Sequence, residues 1–288
     1  MSAASTDRSH LLGVLLERFR SSISRSEFFA ALCVIGCANG FASRIIQSVA
    51  HYGWTDAVIS TFGISVIVWI ACGVGIELVL RDGGDRLNRL DLPFGAVFLS
   101  LSALPGSGAS WLSVTALCLY MLVSSADSSS RRRGATILLS LTVPMLWSPL
   151  IFNCFSETIL GIDAYLVGQL LGSPQIGNIV RFAGGGGELV ILPPCSSIAN
   201  LSLVVVCWVT MSQALAHSWT SRDLVWCFLA GAAVVTTNVT RISLMGLSEQ
   251  SYLTVHSSTG DLIVNVILFC LVIGICLLGL RREVFARI

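Results

Sequence analysis

Long apolar stretches separated by short polar interruptions fill the chain from residue 28 to residue 280. A helix needs about 20 apolar residues to cross the hydrocarbon core of a bilayer. Eight runs approach that length, at 28–50, 57–80, 90–105, 109–123, 135–154, 198–217, 224–240 and 262–280. The pattern predicts an all-α, polytopic transmembrane helix bundle of about eight spans, one integral membrane domain over 1–288 with no soluble domain and no repeat period. Runs three and four are short, and a re-entrant hairpin around the "PGSG" of 105–108 is the alternative to two full crossings. The longest stretch outside the runs, 155–197, is itself rich in apolar residues, carries four consecutive glycines at 184–187 and ends on Pro193 and Pro194. It reads as a loop packed in the membrane interface and leading to residue 195.

Composition strengthens this reading. Apolar residues make up 54% and charged residues 11% of 288 positions, with mean hydropathy +0.82, far from the habits of a soluble domain. A net charge of +1 without a long basic tract argues against nucleic acid as a partner and makes the lipid bilayer the surroundings. All 17 basic residues are arginine. With the N-terminus cytoplasmic, fourteen fall in cytoplasmic segments and only Arg44, Arg181 and Arg241 do not, as the positive-inside rule requires. The segment 1–27 and the tail 281–288 are then both cytoplasmic, and the protein is multi-pass in the cell (inner or plasma) membrane. The first run, over twenty residues long and carrying Arg44, reads as a retained helix despite a weak "SVA" cleavage-like site at 48–50.

Topology filters the candidate chemistry, because groups cooperate only when they share a side and a depth. Most of the ten cysteines lie inside apolar runs, where a free thiol is a small apolar side chain. Cys195 differs: it lies on the outer side, at the start of the sixth run, in "ILPPCSSIANLS" over 191–202. A helix N-terminus stabilises a thiolate, and Ser196 or Ser197 can cap it. Arg241 lies at the outer end of the seventh run, where an arginine is costly unless solvated or paired. His51 and His256 are outside, His10 and His217 inside. Cys195, Arg241 and His256 therefore form an outer set: nucleophile, cation for an oxyanion, and proton carrier. The acids of 155–197, Glu157, Asp163 and Glu188, are scattered along the loop. No metal-ligand spacing is present, and no cofactor is implied.

The motifs "CSS" at 195–197, "NVTR" at 238–241 and "HSSTG" at 256–260, in that order on a polytopic chain, resemble the exosortase/archaeosortase family. The resemblance covers nearly the whole chain. It implies a membrane-embedded cysteine protease-transpeptidase that cuts a C-terminal sorting tail from membrane-anchored secreted proteins and passes the new carboxyl end to an envelope acceptor, often alongside exopolysaccharide production. Cys195 would be the nucleophile, Arg241 the stabiliser of substrate or oxyanion, and His256 the general acid/base, with Asn238 orienting Arg241. Ser197 stands where that family often has glycine, which marks a divergent subfamily. A small-molecule transporter or a non-catalytic membrane assembly factor is the alternative. The transporter reading lacks the paired Gly/Pro-broken helices expected of it.

Overall fold

The computed structural model describes residues 23–83, 85–126 and 129–285. The parts of the segments expected to be cytoplasmic at 1–22 and 286–288, with Arg8, His10, Arg18, Arg20 and Arg287, lie outside the described residues. The protein is a helical one, and its internal contacts form two compact units that divide between Thr142 and Val143. Among the described residues six helical stretches are long and apolar enough to cross a membrane: Arg25–Ile59, Ser107–Ser124, Ser130–Leu171, Ser197–Ala214, Ser221–Met245 and Thr259–Gly279. The second and third predicted runs fall on shorter helices of 16 and 12 residues.

The first unit holds α1 (Arg25–Ile59), α2 (Val66–Arg81), α3 (Asp91–Ser102), α4 (Ser107–Ser124) and α5 (Ser130–Thr142). α1 packs on α2, α3 and α4, and α5 lies against α2 and α4. Ser24 and Glu27 close a capping box on α1, which supplies partners for N–H groups that no helix can satisfy internally. α2 and α5 meet through glycine: a Cβ on Gly134 would lie 2.5 Å from the Gly75 carbonyl oxygen, so the two backbones approach as only small residues permit. One buried ion pair, Arg25–Asp91, and one between the buried Arg131 and the exposed Asp85 tie one end of the unit. Arg25 Nε donates to Asp91 Oδ2 at 2.8 Å, Tyr120 donates to the same carboxylate at 2.7 Å, and Arg131 reaches Asp85 at 3.2 Å. The arginines at 25, 81, 86, 89 and 131–133 all belong to this end, where α1, α3 and α5 begin and α2 and α4 finish.

The second unit begins with a π-turn at Val143–Trp147, around Pro144, whose missing N–H opens the helical ladder. It continues as α6 (Ser148–Leu171), a meander of β1 (Gln175–Ile176), β2 (Ile179–Arg181) and β3 (Glu188–Val190), a 3-10 turn (Pro193–Cys195), then α7 (Ser197–Ala214), α8 (Ser221–Met245), α9 (Glu249–Val255), α10 (Ser258–Gly279) and α11 (Arg281–Phe285). The stretch expected as a loop, 155–197, is therefore helical as far as Leu171 and then an antiparallel sheet in the order β1-β2-β3. Glu157 and Asp163 end the hydropathy run there, but they do not end the helix, which only changes direction at Phe155 (φ −126°, ψ 23°). Leu160, Asp163, Ala164 and Val167 are all buried, the i, i+3, i+4, i+7 stripe of a packed helix face. The three apolar members of that stripe join Val180 and Leu189 from the sheet, Ile191 just after it, and Val239, Ile242 and Met245 from α8 in one core cluster. Backbone bonds from Ala183 to Gly246 and from Gly184 to Leu247, at 2.9 and 3.1 Å, tie the glycine-rich tip to the end of α8.

Candidate functional site

The chain enters α7 in a way its sequence dictates. Leu192 is extended, and the two prolines set the φ of a 3-10 turn. In that turn Cys195 N–H donates to Leu192 O at 2.9 Å and Ser196 N–H to Pro193 O at 3.1 Å. Ser196 is the N-cap of α7, its hydroxyl accepting from Ile198 N–H, as Ser, Thr, Asp and Asn do at that position. Cys195 is half-buried against the cluster of Leu160, Val180, Ile191 and Val239. Among the described residues its thiol makes no hydrogen bond.

Ser197, the first residue of α7, is held from two sides. Asp163 on α6 accepts both its N–H, at 3.1 Å, and its hydroxyl, at 2.8 Å. Asn238 on α8 donates from Nδ2 to Cys195 O at 2.8 Å and to Ser197 Oγ at 3.0 Å. Asp163 is 3% and Asn238 1% exposed, so these bonds form away from water, where an unmade one is expensive. The amide of Asn238 thus serves the backbone of Cys195, not Arg241.

Arg241 lies three residues beyond Asn238 on α8. Its Nη2 donates to Asp261 Oδ1 in an ion pair, with the arginine side chain 15% exposed and Asp261 at the rim. Asp261 occupies the first turn of α10, where a carboxylate also favours the positive end of the helix. Arg241 Nε is buried without a partner. One donor of the guanidinium is engaged, and an unsatisfied buried donor remains beside it.

His256 is the C-cap of α9. It is exposed, and its ring stacks on Tyr252 with centroids 5.2 Å apart and planes 20° from parallel. The α9–α10 corner is tight: Ser257 caps α10, and a Cβ on Gly260 would lie 2.3 Å from the Val255 carbonyl oxygen. That requirement explains the glycine of "HSSTG". Tyr252 and Val255 pack on the same apolar cluster as Cys195. Cys195 packs on this cluster itself, Arg241 and His256 adjoin members or neighbours of it in the chain, and all three lie at the end of the unit where α7 begins and α8 finishes. They are not bonded to each other: the thiol is unbonded, Arg241 holds Asp261, and His256 lies on Tyr252.

Two acids, Asp163 and Asp261, were not singled out by the sequence reading. Asp163 is legible as the polar member of the stripe 160, 163, 164, 167. Asp261 is legible as a countercharge for Arg241, following the serine cap at 257. Among the described residues no group of three or more His, Cys, Asp or Glu side chains is arranged to hold a metal.

A second polar cluster lies at the opposite end of the unit, where α7 finishes and α8 begins. His217 Nδ1 lies 2.6 Å from Glu283 on α11, and Nε2 lies 3.0 Å from Asp223 on α8. Burial alone would push the imidazole down, but the hydrogen bonds to Glu283 and Asp223 outweigh it and hold His217 above its ordinary value. The same bond to His217 holds Glu283 below the usual carboxylate range. Arg222, Arg281 and Arg282 belong to this end and Arg241 to the other.

No family model, curated protein or solved structure matches the chain.

Proposed function

We propose that this protein is an exosortase-like transmembrane cysteine protease-transpeptidase, with Cys195 as nucleophile, that cuts a C-terminal sorting tail from membrane-anchored proteins. The observation that supports it best is the support given to Cys195. Its carbonyl is held by Asn238, its neighbour Ser197 is held by Asp163 and Asn238, and its thiol alone is left without a bond, at the N-terminus of an 18-residue helix. A packed structural cysteine needs no such scaffold, whereas a nucleophile needs its reacting atom free and everything around it rigid.

The reaction follows from the groups present. The thiolate, favoured by the helix N-terminus, attacks the scissile carbonyl to give a tetrahedral oxyanion. Arg241 stabilises that oxyanion with donors not used by Asp261. Collapse breaks the C–N bond, His256 delivers a proton to the leaving amine, and the substrate is left as a thioester on Cys195. Water or an envelope amine or hydroxyl then attacks the thioester and restores the thiol. The arginine distribution supports a periplasmic or extracellular position for this end, where translocated chains emerge. A substrate anchored by its own helix would meet the site at a fixed depth.

The pairing of Arg241 with Asp261 and of His256 with Tyr252 favours a second reading, a non-catalytic membrane assembly factor, because both groups are already engaged. Co-expression with a tagged single-pass protein carrying a candidate sorting tail separates the two. The enzyme reading expects a shortened, Cys195-dependent product with wild type and none with Cys195→Ala. An assembly factor gives full-length protein with both.

A further inference from the structure

Asp163 is the least expected polar group in the second unit. It is 3% exposed on the packed face of α6, and among the described residues no cation pairs with it. Its partners there are the N–H and the hydroxyl of one residue, Ser197. A buried carboxylate satisfied by neutral donors alone is a costly choice for packing α6 on α7, which an apolar side chain would do better.

The carboxylate does what an apolar side chain cannot: it sets the direction of a chain of hydrogen bonds. An ionised carboxylate only accepts. The Ser197 hydroxyl must therefore give its hydrogen to Asp163 Oδ1, at 2.8 Å, and present lone pairs to Asn238 Nδ2, at 3.0 Å. Asn238 spends one Nδ2 hydrogen there and the other on Cys195 O, at 2.8 Å. The relay runs from Asn238 on α8 through the Ser197 hydroxyl to Asp163 on α6, and the second Nδ2 hydrogen holds the carbonyl of Cys195 to α8. Asn238 holds the backbone of Cys195 directly and Asp163 holds that of the nearby Ser197, while the Cys195 thiol stays unbonded.

We infer that Asp163 is a positioning residue for Cys195, acting through Ser197 and Asn238 to hold the 3-10 turn in the geometry that leaves the thiol ready to attack. The inference rests on the proposed role of Cys195 as nucleophile. It also assigns a task to Ser197, whose hydroxyl is the centre of the relay.

The test uses the full-length protein in detergent or nanodiscs, with two readouts: the rate of Cys195 alkylation by iodoacetamide, followed peptide by peptide, and kcat and KM for cleavage of the tail-bearing reporter. Asp163→Asn keeps the volume but replaces one acceptor oxygen by a donor. It is expected to slow alkylation about tenfold and to lower kcat ten- to a hundredfold, with KM within about twofold, because the substrate contacts are untouched. Ser197→Ala is expected to match it, and the double variant to be no worse than either single one, since Asp163 acts through Ser197. Folding is checked by size-exclusion profile and helical circular dichroism. A folded Asp163→Asn with wild-type alkylation rate and kcat, or losses that multiply in the double variant, overturns the inference. If wild type cleaves nothing but Asp163→Asn still slows alkylation, the positioning role stands and the protease reading falls. If wild type cleaves and the variants do so equally well, the reverse holds.

Discussion

Asn238 Nδ2 lies 2.8 Å from the backbone carbonyl oxygen of Cys195, 43 residues earlier in the chain. This bond joins α8 to the turn that presents the thiol, and the same amide reaches Ser197, so one side chain registers two helices at the candidate nucleophile. Asn238→Ala leaves the Cys195 carbonyl and the Ser197 hydroxyl without that partner in a buried place, which costs about 1–3 kcal/mol. The expected outcome is cleavage reduced ten- to a hundredfold, with thermal unfolding lowered by a few degrees. Asn238→Asp, which can only accept when ionised, should be at least as damaging.

Arg241 and Asp261 form an ion pair between α8 and α10, and its structural and chemical shares separate by exchanging the charges. Arg241→Ala leaves Asp261 without its partner and removes the proposed oxyanion donor. The doubly exchanged Arg241→Asp, Asp261→Arg protein restores a pair between the helices but moves the cation. Thermal unfolding should recover most of the loss in the exchange while cleavage stays below about 1% of wild type. Recovery of both would show that Arg241 is only a tie between helices.

The corner holding His256 depends on Gly260. In Gly260→Ala the new Cβ meets the Val255 carbonyl oxygen at 2.3 Å, so α9 and α10 must part. Cys195 is carried by other elements, and its alkylation rate should stay within about twofold of wild type. Cleavage should fall tenfold or more, because the imidazole moves relative to the thiol. Paired measurements of alkylation and turnover on one preparation check this.

The His217 cluster makes stability depend on pH in a stated direction. His217 titrates above its ordinary value, so its contribution is complete below about pH 6.5 and is lost as pH rises through the raised value. Glu283 titrates below its ordinary value. Its contribution is complete above about pH 4.5 and is lost as pH falls through the lowered value. Between about pH 5 and 6.5 both are present. Thermal unfolding there should separate wild type from His217→Ala by about 3–6 °C, and the gap should narrow as pH rises through the raised value of His217. A gap independent of pH would show that the imidazole is not charged in the fold.

The helical class was legible because bilayer crossing leaves a long hydropathy run: six of the eight runs fall on helices long and apolar enough to cross, and those at 57–80 and 90–105 fall on shorter helices, the first interrupted at 60–65. The segment 155–197 was misread for the same reason. Glu157 and Asp163 depress the hydropathy of α6, although Asp163 sits on its buried stripe and is satisfied by Ser197. Ordinary helical periodicity carried information there that mean hydropathy erased. The site was legible one residue at a time: Cys195 after two prolines, Arg241 at a helix end, His256 before a tight glycine corner. Their partners were not, because Asp163 and Asp261 meet Ser197 and Arg241 across 34 and 20 residues, and no local pattern encodes a pairing over such a separation.

The central claim is that Cys195 is an activated nucleophile, and one measurement addresses it most directly. Intact cells or right-side-out vesicles are labelled with a membrane-impermeant thiol reagent from pH 5 to 9, and each cysteine is quantified in wild type, Cys195→Ala, Arg241→Ala and His256→Ala. The account expects Cys195 to dominate the labelling, to react well below the pH of about 8.5 at which an ordinary thiol ionises, and to lose that advantage when Arg241 or His256 is removed. A Cys195 that is reached by the reagent yet reacts as an ordinary thiol, whatever stands at 241 and 256, would contradict it.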